Sequence, residues 1–144
     1  MNIPFLLKPK SKIAYLYDFN TIRQGLEKIK NHGFTAIPVI GKDGSYIGTV
    51  SEGDFLWHLV GHDSGEMKEQ EEYSILDIVR LDWNPAVKIS ETMDELLLRV
   101  MEQNFVPVVD DQGSFIGIIT RKSIIKYCYN EMKAAQEAAG QDSE

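Results

Sequence analysis

Two short runs carry the residue types best placed to do chemistry. Gly48-Thr49-Val50-Ser51-Glu52-Gly53-Asp54 sets a hydroxyl three residues before a carboxylate, where a β-rich run gives way to a helical one. Gly117-Ile118-Ile119-Thr120-Arg121-Lys122-Ser123 repeats the junction, with Thr120 and Ser123 in those places. A hydroxyl at a helix start caps free N–H groups, and an acidic residue three positions on completes the cap. Structure alone thus accounts for Ser51 and Asp54. The same arrangement suits a nucleotide. Free N–H groups and a hydroxyl meet a phosphate, and one carboxylate accepts hydrogen bonds from both ribose hydroxyls.

Catalytic candidates are sparse. His58 and His62 are four apart, but Gly61 lies between them and Leu59 stands where a zinc-protease motif needs Glu. With no third ligand evident, they read as a chance pair on a solvated face. Cys128 reads as a small, half-buried helix residue. No Ser/His/Asp or Cys/His arrangement, P-loop or dinucleotide fingerprint appears, so neither an enzyme nor a metal site is expected.

The junctions belong to a larger internal repeat. Ala36-Ile37-Pro38-Val39-Ile40 leads to Gly44 and Gly48, and Val106-Pro107-Val108-Val109 leads to Gly113 and Gly117, each 69 positions on. Upstream, Thr21 and Thr92, Leu26 and Leu97, and Phe34 and Phe105 are each 71 apart. Two copies are too few for a solenoid. They fit a pseudo-two-fold pair burying one shared face.

Each copy reads strand, helix, strand, strand, helix. Ile13–Leu16 is a short strand in the first. Thr21-Ile22-Arg23-Gln24 is a capping box, as is Thr92-Met93-Asp94-Glu95. Ile22, Leu26 and Ile29 fall at helical spacing before Gly33, and Met93, Leu96, Leu97 and Val100 before Asn104, a left-handed stop. Gly44 and Gly113 fit hairpin turns. Pro38 and Pro107 require an edge strand, or a flank without a neighbouring strand. The next helices are near Asp54–Val60, with Phe55, Leu56 and Leu59, and from about Lys122 toward Ala139, with Ile124, Ile125, Cys128 and Met132 inward. This gives a lead-in and first repeat over 1–61, an acidic linker and connecting helix over 62–83, a second repeat over 84–133 and a frayed tail over 134–144. The connecting helix is read from Tyr73, Ile75, Leu76, Ile78 and Val79. The apolar lead-in residues Ile3, Phe5, Leu6 and Leu7 are expected to pack on the body or a partner.

The chain has 144 residues and a formal charge of −7, so the marginal repeats are expected to fold as one unit. Without a basic run it offers nothing to nucleic acid or an anionic membrane surface. One cysteine fits a reducing cytosol, and no apolar run is long enough to span a bilayer.

The twice-repeated Pro-Val strand, Gly turn, Ile-Gly strand and Ser/Thr-x-x-Asp resembles a pair of cystathionine-β-synthase (CBS) domains, the Bateman module, over residues 10 to 130. Nothing catalytic remains outside, as in the stand-alone CBS pairs of bacteria. The resemblance implies an α+β fold of two β-α-β-β-α repeats about a pseudo-two-fold axis. It implies no cofactor, but an adenosine-containing regulatory ligand in the clefts: AMP, ADP, ATP, S-adenosylmethionine or cyclic di-AMP. Asp54 would take ribose and Ser51 phosphate or ribose, with the base against Asn84, Pro85, Ala86, Phe105 and Val106. The other cleft would be framed by Ile13, Ala14, Thr35, Ala36 and Ile37, with Thr120, Arg121 and Ser123. Ser123 replaces the family aspartate there, so the Asp54 cleft ranks first; Arg121 and Lys122 make the second richer for phosphate. The resemblance also implies a homodimer, through spare apolar positions at Ile3, Phe5, Leu6, Ile75 and Ile78, and a regulated protein partner. The competing reading is a structural module that works as a homodimer without ligand.

Overall fold

The computed structural model describes residues 3–33, 35–61 and 69–142. The first repeat contains β2 (Leu16–Tyr17), α1 (Ile22–His32), β3 (Ala36–Ile40), β4 (Tyr46–Ser51) and α2 (Glu52–Gly61). The second contains β5 (Val87–Lys88), α3 (Met93–Val100), β6 (Phe105–Val109), β7 (Phe115–Thr120) and α4 (Arg121–Asp142). Before the first repeat come a 3-10 turn, Ile3–Leu6, and β1, Lys8–Pro9. In each repeat a parallel pair joins the short strand to the Pro-bearing strand, and an antiparallel pair comes next. The fold is therefore the expected pair of mixed α/β repeats.

Contacts between equivalent residues mark the two-fold relation. Ser45 and Ser114 form a bridge, and the Phe115 N–H donates to Gly44 O at 2.8 Å. The Tyr46 and Phe115 rings stack across the same seam with centroids 6.2 Å apart.

The repeats exchange the segments that precede them. β1, which leads into the first repeat, pairs antiparallel with β7 of the second. Arg80, which leads into the second, exchanges both main-chain hydrogen bonds with Thr49 on β4 of the first. The cores reflect this exchange. Ile3, Leu6 and Leu7 pack with Val87, Leu96, Val106, Val108 and Ile119. Ile75, Tyr73, Ile78 and Val79 pack with Leu16, Ile22, Ile37, Val39, Val50 and Phe55. Four of the five apolar positions expected to be spare for a partner are thus spent inside: Ile3 and Ile75 are buried, Leu6 and Ile78 half-buried, and only Phe5 is exposed.

Several local expectations change. The first strand lies at Leu16–Tyr17, because Lys10–Lys12 form a 3-10 turn ending at Ile13. The connecting helix is only a 3-10 turn, Ile75–Asp77, capped by Ser74. The chain must turn extended to reach β4 through Arg80. The expected linker is docked at its end: Gln70 is buried and Glu71 pairs with Arg23. Residues 62–68 lie outside the described residues. The Thr21 capping box is complete, but at Thr92 only the hydroxyl half forms, since Glu95 pairs with Arg99. Gly33 is left-handed at φ 66°, whereas the left-handed asparagine is Asn84, φ 62°, and not Asn104.

β3 and β6 are not edge strands. Thr49 spends its main-chain groups on Arg80, so Pro38 opposite points its nitrogen away from β4, past the start of β2. The missing donor therefore leaves no ladder bond broken. α4 stays helical through Asp142, where a frayed tail was expected, and it carries Ile125 and Met132 outward; Ile124 is buried and Cys128 half-buried. No helix among the described residues is long and apolar enough to cross a membrane.

Glycines 48 and 117 permit the exchange. A Cβ at Gly48 would overlap the Arg80 carbonyl oxygen, and one at Gly117 that of Lys8. Gly117→Ala is expected to destabilise the protein by about 1–3 kcal/mol, since the backbone it meets cannot move aside cheaply. Urea unfolding checks this; an unchanged midpoint would show that the lead-in pairing contributes nothing.

Candidate functional site

The Thr120 cleft is built from both repeats and the lead-in. It holds a cavity of about 310 Å³ lined by Lys8, Lys12, Ile13, Ala14, Thr35, Ala36, Pro38, Asn104, Phe105, Ile118 and Thr120. The fold supplies these walls. Ile13 and Ala14 precede β2, and Pro38 is uncovered because β2 starts beyond it. Ala36 and Phe105 are equivalent residues at the starts of β3 and β6. Thr120 sits at the α4 start, where its Oγ1 accepts from the Ser123 N–H at 3.2 Å and lies 2.8 Å from the Ser123 hydroxyl. Arg121 turns away: its Nε donates to Val100 O at 2.7 Å. The cationic lining comes from Lys8 and Lys12, which sequence reasoning did not select. Lys8 pairs with Ile118 as Arg80 pairs with the equivalent Thr49, but it stands 72 positions before Arg80, outside both repeat offsets. Ile37 and Val106 are buried in the two cores rather than in the cavity wall.

The Asp54 cleft is different. Ser51 and Asp54 form the reciprocal cap: the Ser51 N–H donates to Asp54 Oδ2 at 2.8 Å, and the Asp54 N–H to Ser51 Oγ at 3.3 Å. Asp54 Oδ1 also takes Arg80 Nε and Nη2, each at 2.8 Å. The Arg80 guanidinium lies 4.7 Å from the Trp83 ring centroid, a cation–π contact. On this side the cavity shrinks to about 80 Å³, lined by Ala36, Trp83, Asn84, Glu102, Gln103, Asn104 and Phe105, with neither Ser51 nor Asp54 among them.

A buried polar network fills the space. Tyr46 Oη donates to Asn84 O at 2.8 Å and lies 2.6 Å from Thr49 Oγ1. Gln103 Nε2 donates to Asn84 Oδ1 at 2.9 Å and Pro85 O at 3.2 Å. Asn84 and Pro85, expected to hold a base, are thus engaged with their own chain, and Ala86 leads into β5. Burial pushes the Tyr46 phenol up to about 12, with the bonds to Thr49 and Asn84 pulling the other way.

The histidine pair does not share a solvated face. His58 is buried, its Nε2 2.9 Å from Gln70 Oε1 and its ring edge-on to Tyr73. His62 lies outside the described residues. Among those residues no group of three metal-binding side chains occurs.

This geometry matches a known family. The CBS domain family matches residues 7–61 and 77–130, once per repeat, and the chain belongs to that family. An uncharacterised protein of Methanocaldococcus jannaschii is 27% identical over 145 residues, spanning 80% of this chain and 85% of its own. Cyclic di-AMP receptor B of Bacillus subtilis is 24% identical over 115 residues, spanning 80% of this chain and 78% of its own. The structure of CbpB in complex with c-di-AMP superposes with a TM-score of 0.85 at 25% identity, covering 96% of this chain and 91% of that one.

Tyr46 gives an alkaline signature. Its folded value is raised above the ordinary 10, so its neutral form stabilises the fold fully below pH 10. That contribution, about 3 kcal/mol at most, should fade as pH climbs from 10 to 12. Tyr46→Phe should remove this pH dependence and cost about 1–3 kcal/mol at neutral pH, by leaving Asn84 O without its donor. Chemical unfolding at stepped pH reads both; identical alkaline profiles would contradict the network.

Proposed function

We propose that this chain is a cytosolic regulatory sensor. It takes an adenosine-containing ligand into the Thr120 cleft and changes its contacts with a second protein in response. The observation that carries this reading is the lining of the cavity. Ile13, Ala14, Pro38, Phe105 and Ile118 give apolar walls against which a purine can lie. Lys8, Lys12 and Thr120 supply cations and a hydroxyl for phosphate, and Thr35 and Asn104 add neutral polar groups. The volume, about 310 Å³, falls within the small-molecule range of roughly 300–1,000 Å³. Cyclic di-AMP is the first candidate because it is named with both the Bacillus subtilis receptor and the superposed CbpB. AMP, ADP, ATP and S-adenosylmethionine come after it.

A homodimer is part of the proposal, through surfaces other than those read from sequence. Leu56, Trp57 and Val60 stand exposed on α2; Leu98, Ile125, Tyr129 and Met132 stand exposed on α3 and α4, with Met101 exposed just past the end of α3. Contiguous exposed apolar faces of this kind mark association surfaces. Sedimentation at tens of micromolar, roughly a working range, should find two chains per particle. A monomer there would remove the dimer.

Calorimetry with the five candidate ligands tests the site. Wild type should bind at least one. Replacing Lys8 and Lys12 together by Ala should weaken it by about 1.5–3 kcal/mol, roughly ten- to a hundredfold. If wild type binds none, the ligand-free interaction module is the correct reading. If the double variant binds as wild type does, the ligand lies elsewhere.

A further inference from the structure

The clefts are made by equivalent parts of the two repeats, yet one cavity is about 310 Å³ and the other about 80 Å³. Two pairs of equivalent positions set the chemistry of the clefts, and one of them differs in charge. Lys8 and Arg80 are the cations that cross the edges of β7 and β4. Facing Arg80 is Asp54; the residue equivalent to Asp54 on the other side is Ser123. The Asp54 side chain is only 9% exposed, and its Oδ1 is taken twice by the guanidinium at 2.8 Å. Its Oδ2 holds the Ser51 N–H. Both carboxylate oxygens are therefore committed. Arg80 is held in turn from below by Trp83. Its main-chain N–H and C=O are fixed on Thr49, so its position is set before any ligand arrives. Lys8 is likewise paired through its backbone, with Ile118 on β7, and it lines the larger cavity together with Thr120, whose hydroxyl meets the neutral Ser123 hydroxyl at 2.8 Å.

We propose that Arg80 shuts the Asp54 cleft by pairing with Asp54, and that Ser123 keeps the Thr120 cleft accessible by leaving Lys8 without such a carboxylate. The chain then takes one nucleotide where its repeat would allow two. Resting on the sensor reading above, this gives Ser123 a role other than a lost ribose contact: it preserves a free cation for the ligand's phosphate. Arg80 becomes the residue that fixes stoichiometry.

Calorimetric titration with cyclic di-AMP of wild type, Arg80→Ala, Arg80→Lys, Arg80→Ala/Asp54→Ala and Ser123→Asp tests this, each first shown folded by circular dichroism. Wild type should bind one ligand per chain. Arg80→Ala should add a second binding event, and Arg80→Ala/Asp54→Ala should lose it again. Arg80→Lys keeps a cation beside Asp54 and should stay at one. Ser123→Asp should weaken the wild-type site at least tenfold by drawing in Lys8. Two ligands on wild type, no gain in Arg80→Ala, or unchanged affinity in Ser123→Asp overturns the proposal. If wild type binds none and Arg80→Ala binds one, the Arg80 closure stands and the Thr120 sensor site falls. If neither binds, both fall.

Discussion

Everything in this molecule depends on two short backbone crossings. Lys8–Pro9 lies against β7 over Gly117, and Arg80 lies against β4 over Gly48. Each crossing satisfies main-chain groups on a strand that would otherwise be a sheet edge. Each also carries apolar residues into the other repeat's core: Ile3 in one case, Ile75 in the other. A repeat of this size buries too little surface to be secure alone. Borrowing a segment from its twin enlarges both cores and ties the two repeats together. A glycine is required beneath each crossing because the carbonyl oxygen above leaves no room for a Cβ.

The same crossings place the chemistry. Because they pass over the last strand of each repeat, they bring a cation to the start of the next helix: Lys8 toward Thr120, Arg80 toward Asp54. Single side chains then decide whether each cleft stays open. A carboxylate opposite a guanidinium closes one cleft with a partly buried ion pair. Asp54 is the buried partner at 9% exposure, so losing Arg80 would leave its carboxylate poorly solvated. Trp83, Asn84 and Gln103 fill the space that remains. On the opposite side Ile13 and Ala14 are small or apolar, and the cavity persists.

Much of this was legible in the residues. The 69- and 71-residue offsets fixed the repeat, and the offsets hold in the structure, with β3 aligned to β6 and α1 to α3. Thr21, Gly33, Gly44 and Gly113 behave as their types require, since capping and positive φ are local matters. What was not legible was long-range. The apolar periodicity of Tyr73–Val79 reflects core contacts by a 3-10 turn, because the segment must extend at once to reach Thr49. Ile3 and Ile75 looked available to a partner because the reciprocal exchange cannot be read from periodicity. The Ser51–Asp54 pattern was clear, but Arg80, 26 residues on, decides what Asp54 is free to do. His58, read as solvated, is buried against Gln70 at the end of an acidic linker that local composition marked as exposed.

A crystal structure of the chain grown with cyclic di-AMP tests the central claim most directly. The account predicts a base between Ala14 and Phe105, a phosphate within reach of Lys8 and Lys12, and the Arg80–Asp54 pair unbroken. Ligand seated against Asp54 with that pair parted, and none beside Thr120, would contradict it.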